Sequence, residues 1–144
     1  MFVYPTARRT GKTYSIIEQV NWCVLFDMLP ICIIVRDELA RNYMETRLME
    51  LDLTENERNL IKIIPAGLHS HPGAVSIGNV LNKLSGIQFQ RIYIDDVTDL
   101  SKELVDRLRT MYDNVMHVYG TIDIETWDED RRFKFNEMQC GDKL

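Results

Sequence analysis

Three short stretches of this chain have residue types and spacing that could do chemistry on a phosphate. In the first, Thr6 to Thr13 read T-A-R-R-T-G-K-T, between an apolar run from Met1 to Tyr4 and a segment with helical periodicity. Strand, tight loop and helix is the context a phosphate-binding loop requires. Its backbone N–H groups point at the anion, and the positive end of the following helix adds to the attraction. Ala7, Arg8, Arg9, Thr10, Gly11, Lys12 and Thr13 form the candidate cradle. Lys12 would reach the β- and γ-phosphates and the Thr13 hydroxyl would ligate Mg²⁺. Thr6 stands where such loops usually open with glycine, and the plain alternative is a basic strand-to-helix turn.

The second stretch, Arg91 to Asp96, is an apolar strand ending in two carboxylates. Asp95 would hold Mg²⁺ through its water shell, because a hard cation prefers oxygen ligands. Asp96 would orient or deprotonate the attacking water. An Asp-capped turn after a strand gives the same residues without chemistry. In the third stretch, Met116 to Thr121 read as a strand ending in Gly120 and Thr121. All three stretches end strands at their C-terminal side, the edge at which open α/β sheets bind ligands.

Arg8 and Arg9 have two readings. One of them, Arg8 by its place inside the loop, would stabilise charge developing on the γ-phosphate; otherwise both pair with surface acids. His69 and His71, just before Pro72, are a fourth candidate, since paired imidazoles suit zinc when a third ligand and a water complete the set. Two solvent-facing loop histidines are the plain reading.

Alternating helices and strands must position these residues. Ile16, Ile17, Val20, Cys23 and Val24 have helical spacing within Lys12 to Met28, and Pro30 punctuates the end. Pro30 to Val35 is a continuous β-branched run, the pattern of a strand buried on both faces. Asp37 to Leu51 is expected to be a helix with Leu39, Tyr43, Leu48 and Leu51 on its buried face. Thr54 and Glu57 have capping-box spacing for another short helix, and Lys62 to Pro65 begins a third strand. Ala66 to Gly86, broken by Gly67, Pro72, Gly73 and Gly78, reads as a surface excursion with one helical turn near Val80 to Leu84. Ser101 would cap a helix from Lys102 to Asn114 that buries Leu104, Leu108 and Met111. The expected architecture is α/β, a three-layer sandwich around a mainly parallel sheet.

At 144 residues, 45% hydrophobic and 27% charged, the chain is expected to be one domain, with a core over about 1–125 and a C-terminal extension over 126–144. The formal charge of −5 excludes a broad basic surface for nucleic acid. Cys23, Cys32 and Cys140 form no C-x-x-C pair and fit a reducing compartment. The apolar runs fall short of a membrane span and the start lacks signal-peptide order, so a cytoplasmic protein is expected. In the tail, 131–135 alternate basic and aromatic residues, an edge strand or a small nucleic-acid contact.

The chain resembles P-loop NTPases, and among them the ATPase domain of tailed-phage large terminase subunits, over about residues 1–125. Ala7 to Thr13, with Arg8 three residues before Gly11-Lys12-Thr13, has the form of that family's phosphate loop. Ile92 to Asp96 resembles its second motif, an apolar strand ending Asp-Glu, and Gly120-Thr121 falls where a hydroxyl-rich motif couples hydrolysis to movement. The resemblance implies ATP and Mg²⁺ as cofactors, double-stranded DNA or a packaging component as partner, and host cytoplasm as location. Asp96 stands in the family's glutamate position, which implies slow hydrolysis. The expected protein is a minimal, stand-alone relative without a nuclease domain. Two alternatives stand beside it. One is a degenerate P-loop fold that only binds nucleotide or a partner protein. The other follows from His69 and His71, which resemble the H-x-H-P zinc motif of JAMM metalloproteases, although Asn79 and Asn82 fall where that family has serine and aspartate.

Overall fold

The computed structural model describes residues 1–5, 12–66, 74–95 and 102–120. The chain runs β1 (Phe2–Pro5), α1 (Lys12–Leu25), β2 (Ile31–Val35), α2 (Glu38–Leu48), α3 (Glu55–Asn59), β3 (Ile61–Pro65), α4 (Ala74–Leu84), β4 (Arg91–Ile94), α5 (Lys102–Tyr112) and β5 (Met116–Gly120). The five strands form one sheet in the order β1-β5-β4-β2-β3, and every pairing is parallel. Parallel neighbours need crossovers, and the crossover helices cover both faces.

β2 is buried at every position, as a β-branched run in the sheet interior must be. Its side chains alternate: Ile31, Ile33 and Val35 meet Ile16, Val20 and Cys23 of α1 and Met44 and Leu48 of α2. Cys32 and Ile34 face the other way, into a core with Ile77, Val80 and Leu84 of α4 and Leu104, Val105 and Leu108 of α5. Helices on both faces of an all-parallel sheet make the α/β architecture expected from the sequence.

The helix ends follow local chemistry. After α1 the chain closes in a Schellman motif, with Met28 N–H donating to Cys23 C=O at 2.7 Å and Asp27 N–H to Val24 C=O at 3.4 Å. Asp27 takes the left-handed position at φ 57°. The Asp37 side chain caps α2 by accepting from Ala40 N–H at 2.8 Å. The capping box at α3 is complete: Glu57 N–H donates to Thr54 Oγ1 at 3.1 Å, and Thr54 N–H to Glu57 Oε1 at 2.8 Å.

Three sequence expectations need correction. α2 buries Leu48 as expected but turns Leu39 and Tyr43 to solvent, 74% and 56% exposed, and buries Met44 in their place. Two apolar stripes roughly 100° apart share this helix, and the one carrying Met44, with partly buried Ala40 and Leu51, is the one that meets β2. In α5 Val105 joins Leu104 and Leu108 on the buried face, while Met111, in the last turn, is 59% exposed. The excursion read over Ala66 to Gly86 contains the three-turn helix α4, which covers the second face of the sheet. Gly78 sits inside that helix, and a methyl group there would meet nothing within 4 Å, so packing does not require the glycine that obscured the pattern.

Candidate functional site

β1 and β4 end at the same edge of the sheet with β5 between them. The register pairs Pro5 with Gly120 and Ile94 with Val118, which brings Asp95 level with Tyr119. Asp95 follows directly on β4, and its N–H donates to Ile34 C=O of β2 at 3.0 Å, so the backbone that carries the carboxylate is tied to the central strand. Lys12 opens α1, and Thr13 lies in the first turn. Its Oγ1 donates to Asp95 Oδ1 at 3.4 Å, across 82 residues of sequence. Both side chains are partly buried.

A network along β4 fixes where α1 lies. Cys23 Sγ is 3.4 Å from Tyr93 Oη. Arg91 Nη1 donates to Gln19 Oε1 and to Tyr93 Oη, each at 3.3 Å, and its guanidinium lies 5.0 Å above the Trp22 ring. The helix therefore runs antiparallel along β4, with Thr13 at the strand's C-terminal end and Trp22 near its start. A helix held at two points along its length has little freedom left at the third, which is Thr13.

Beneath α1 the sheet carries an aromatic shelf. Tyr4 stacks on Tyr119 at 4.6 Å between centroids, and Phe2 stacks on His117 at 4.9 Å. Tyr4 Oη and His117 Nδ1 share a hydrogen bond of 3.0 Å. Burial, then the charge of Arg91 and the amino terminus, pulls the His117 pKa down to about 4, so this imidazole is neutral at ordinary pH. Burial likewise pushes the Tyr93 hydroxyl up, with the hydrogen bond to Cys23 adding to it. The Cys32 thiol is pushed up to about 12 by burial, against the pull of Lys62, which makes it a packing residue rather than a nucleophile. None of these shelf residues stood out in the sequence. The signal was there as a period of two, with rings or polar groups at 2 and 4, 91 and 93, 117 and 119.

A hydroxyl and a carboxylate within 3.4 Å are hard oxygen donors in reach of one hydrated cation, the donor set that Mg²⁺ takes beside phosphates. The first turn of α1 itself contains no acidic residue to oppose an anion at the positive end of a 14-residue helix, and the carboxylate beside it is that of Asp95. Of the sequence-derived candidates, the structure thus brings together Thr13, Asp95 and, at the adjacent strand end, Gly120. Ala7, Arg8, Arg9, Thr10, Gly11, His69, His71, Asp96 and Thr121 lie outside the described residues, as do Ser101 and the tail 121–144; of Lys12 only the backbone is described. Asn79 and Asn82 sit exposed on α4.

A cleft of about 250 Å³ opens at the other end of the sheet, between α2, α3 and β3, with Leu48, Leu53, Ile61 and Ile63 in its lining and Glu45 and Arg58 as its charged residues. β2 and β3 separate it from Asp95, and it shares no residue with the Thr13 contact. Among the described residues no group of three or more His, Cys, Asp or Glu side chains is placed to hold a metal ion, and no helix is long and apolar enough to cross a membrane. No protein-family model matches the chain, and no curated protein matches it at a significant level.

Proposed function

We propose that this chain is a P-loop-type protein that binds MgATP and hydrolyses it slowly, a relative of the phage terminase ATPases. One observation carries the reading. The hydroxyl of the residue after Lys12 meets, across 82 residues, the first carboxylate of the Asp95-Asp96 pair that follows β4 in the sequence. A chance G-K-T turn has no reason to be closed by a carboxylate from that strand.

The roles follow from the positions. Backbone N–H groups of the loop and the start of α1 receive the phosphates, and the Lys12 ammonium adds a positive charge to the β- and γ-oxygens. Thr13 Oγ1 and the Asp95 carboxylate would hold Mg²⁺, which would supply charge neutralisation on the same oxygens. Arg8 stabilises the charge that develops on the transferred phosphoryl group. Asp96 accepts a proton from the water as it attacks the γ-phosphorus and the bond to the β-phosphate oxygen breaks, releasing ADP. Gly120, which ends the strand between β1 and β4, and Thr121 after it in the sequence would sense that change. DNA or a packaging component as partner rests on the terminase resemblance alone.

The test is calorimetric titration of MgATP into the full chain and its variants, with circular dichroism to confirm folding. Lys12→Ala and Asp95→Asn should each abolish binding or its Mg²⁺ dependence, while the His69→Ala, His71→Ala double variant should retain both. Unchanged affinity in folded Lys12→Ala and Asp95→Asn would end the nucleotide reading. Stoichiometric zinc lost in the histidine double variant would replace it with a metalloprotease.

A further inference from the structure

The exposed ring of Tyr14 marks a place for a nucleoside. Around α1, Ile16, Val20 and Cys23 are fully buried against the sheet, whereas Tyr14 is 60% exposed and belongs to neither core. An aromatic ring in that position gains little from folding, so its apolar faces are available to something else. Tyr14 directly follows Thr13, and an α-helix advances only about 1.5 Å per residue, so ring and cation ligand occupy the same turn. Helical side chains tilt toward the N-terminus, which carries the ring toward the phosphate end of the helix. Glu18 lies one turn further on the same face, and its carboxylate raises the Tyr14 pKa.

The rest of the site limits where a nucleoside can go. With its phosphates at Thr13 and Asp95, a nucleotide cannot extend under α1, because Ile16, Val20, Tyr93 and Tyr119 fill that space. Among the described residues, the outer side of the helix start is the open one, and there Tyr14 is an exposed ring. We propose that Tyr14 is the stacking platform for the base of the bound nucleoside triphosphate. This rests on the nucleotide reading above and adds the subsite for the base. Every base presents a π-face, so the platform contributes affinity for nucleosides over bare polyphosphate rather than selection among bases.

Two probes separate the inference from the reading beneath it: MgATP, which carries a base, and magnesium tripolyphosphate, which does not. Titrated into the full chain, Tyr14→Ala should weaken MgATP by about tenfold, in the range that stacking one base on a ring supplies, and leave tripolyphosphate unchanged. Tyr14→Trp should restore MgATP affinity. Tyr14→Phe, which keeps the ring and loses only the hydroxyl, should retain most of it. If tripolyphosphate binds through Lys12 but Tyr14→Ala leaves MgATP unaffected, or weakens both probes equally, the platform is refuted and the phosphate site survives. If neither probe binds the unaltered chain, both fail together.

Discussion

Stability below neutral pH should depend on one buried imidazole. His117 lies in β5 at 7% exposure, stacked on Phe2, tilted against Tyr93 at 5.4 Å and hydrogen-bonded to Tyr4. Burial first, then Arg91 and the terminal ammonium, holds its pKa at about 4 against an ordinary 6.5. Carrying the difference into free energy gives on the order of 3 kcal/mol. The unfolded chain takes up a proton as pH falls through 6.5, whereas the folded chain takes it up only near 4. The contribution is therefore complete above pH 6.5 and is lost progressively between about 6.5 and 4, reaching about 2 kcal/mol of loss at pH 5. For a domain of ordinary stability, about 5–15 kcal/mol, that is a large fraction. His117→Phe keeps a ring in the stack and removes the titration. Urea unfolding of both proteins at pH 7.5, 6 and 5 should show the unaltered chain losing about 2 kcal/mol more than the variant across the range. Carboxylates titrate in both proteins, so their effect cancels in the difference. Parallel pH profiles would show that His117 is not held neutral by its surroundings, and the account of the aromatic shelf would be wrong.

Two smaller changes test other parts of the argument. Asp27→Gly should raise stability by about 0.5–1 kcal/mol, read as a shift in denaturation midpoint, because φ 57° strains any residue with a Cβ; no gain would mean that the aspartate side chain offsets the strain locally. At the site, Asp96→Glu should raise steady-state phosphate release and Asp96→Asn lower it, since a carboxylate about 1 Å too far from the attacking water can cost on the order of a hundredfold in rate. Robust turnover that survives Asp96→Asn would assign that proton to another group, and ATP bound without turnover even in Asp96→Glu would leave a binding module.

Strands were the most legible part of this chain, for a physical reason. β2 and β4 lie inside a sheet covered on both faces, so every position must be apolar, and Ile31 to Val35 and Ile92 to Ile94 leave no second interpretation. Helix faces were less legible because two stripes can compete on one helix. Leu39 and Tyr43 are larger than Ala40 and Met44 in apparent hydrophobic weight, yet α2 buries the latter pair, since burial is decided by the direction the helix takes across β2 and β3. α4 was nearly hidden by Gly78, whose cost to the helix is offset by Ile77, Val80 and Leu84 on one core-facing stripe. The shelf of Tyr4, Tyr93, His117 and Tyr119 could not be assembled at all without knowing that β5 lies between β1 and β4.

That strand order also explains why Thr13 reaches Asp95. β1 is at one edge of the sheet, and β2, the next strand in sequence, lies three places away, beyond β5 and β4. At about 4.8 Å per strand, α1 must carry the chain roughly 14 Å sideways while running back along the sheet. A helix of 14 residues making that crossing passes over β4, and the Cys23, Gln19 and Trp22 contacts to Tyr93 and Arg91 record its path. Had β1 paired directly with β2, α1 would have no reason to lie along β4, and the hydroxyl and carboxylate would end on separate parts of the edge. The last described strand is thus as much a part of the candidate site as the loop: by inserting between β1 and β4, β5 sets the width of the crossing and brings Gly120 to the gap between Pro5 and Asp95.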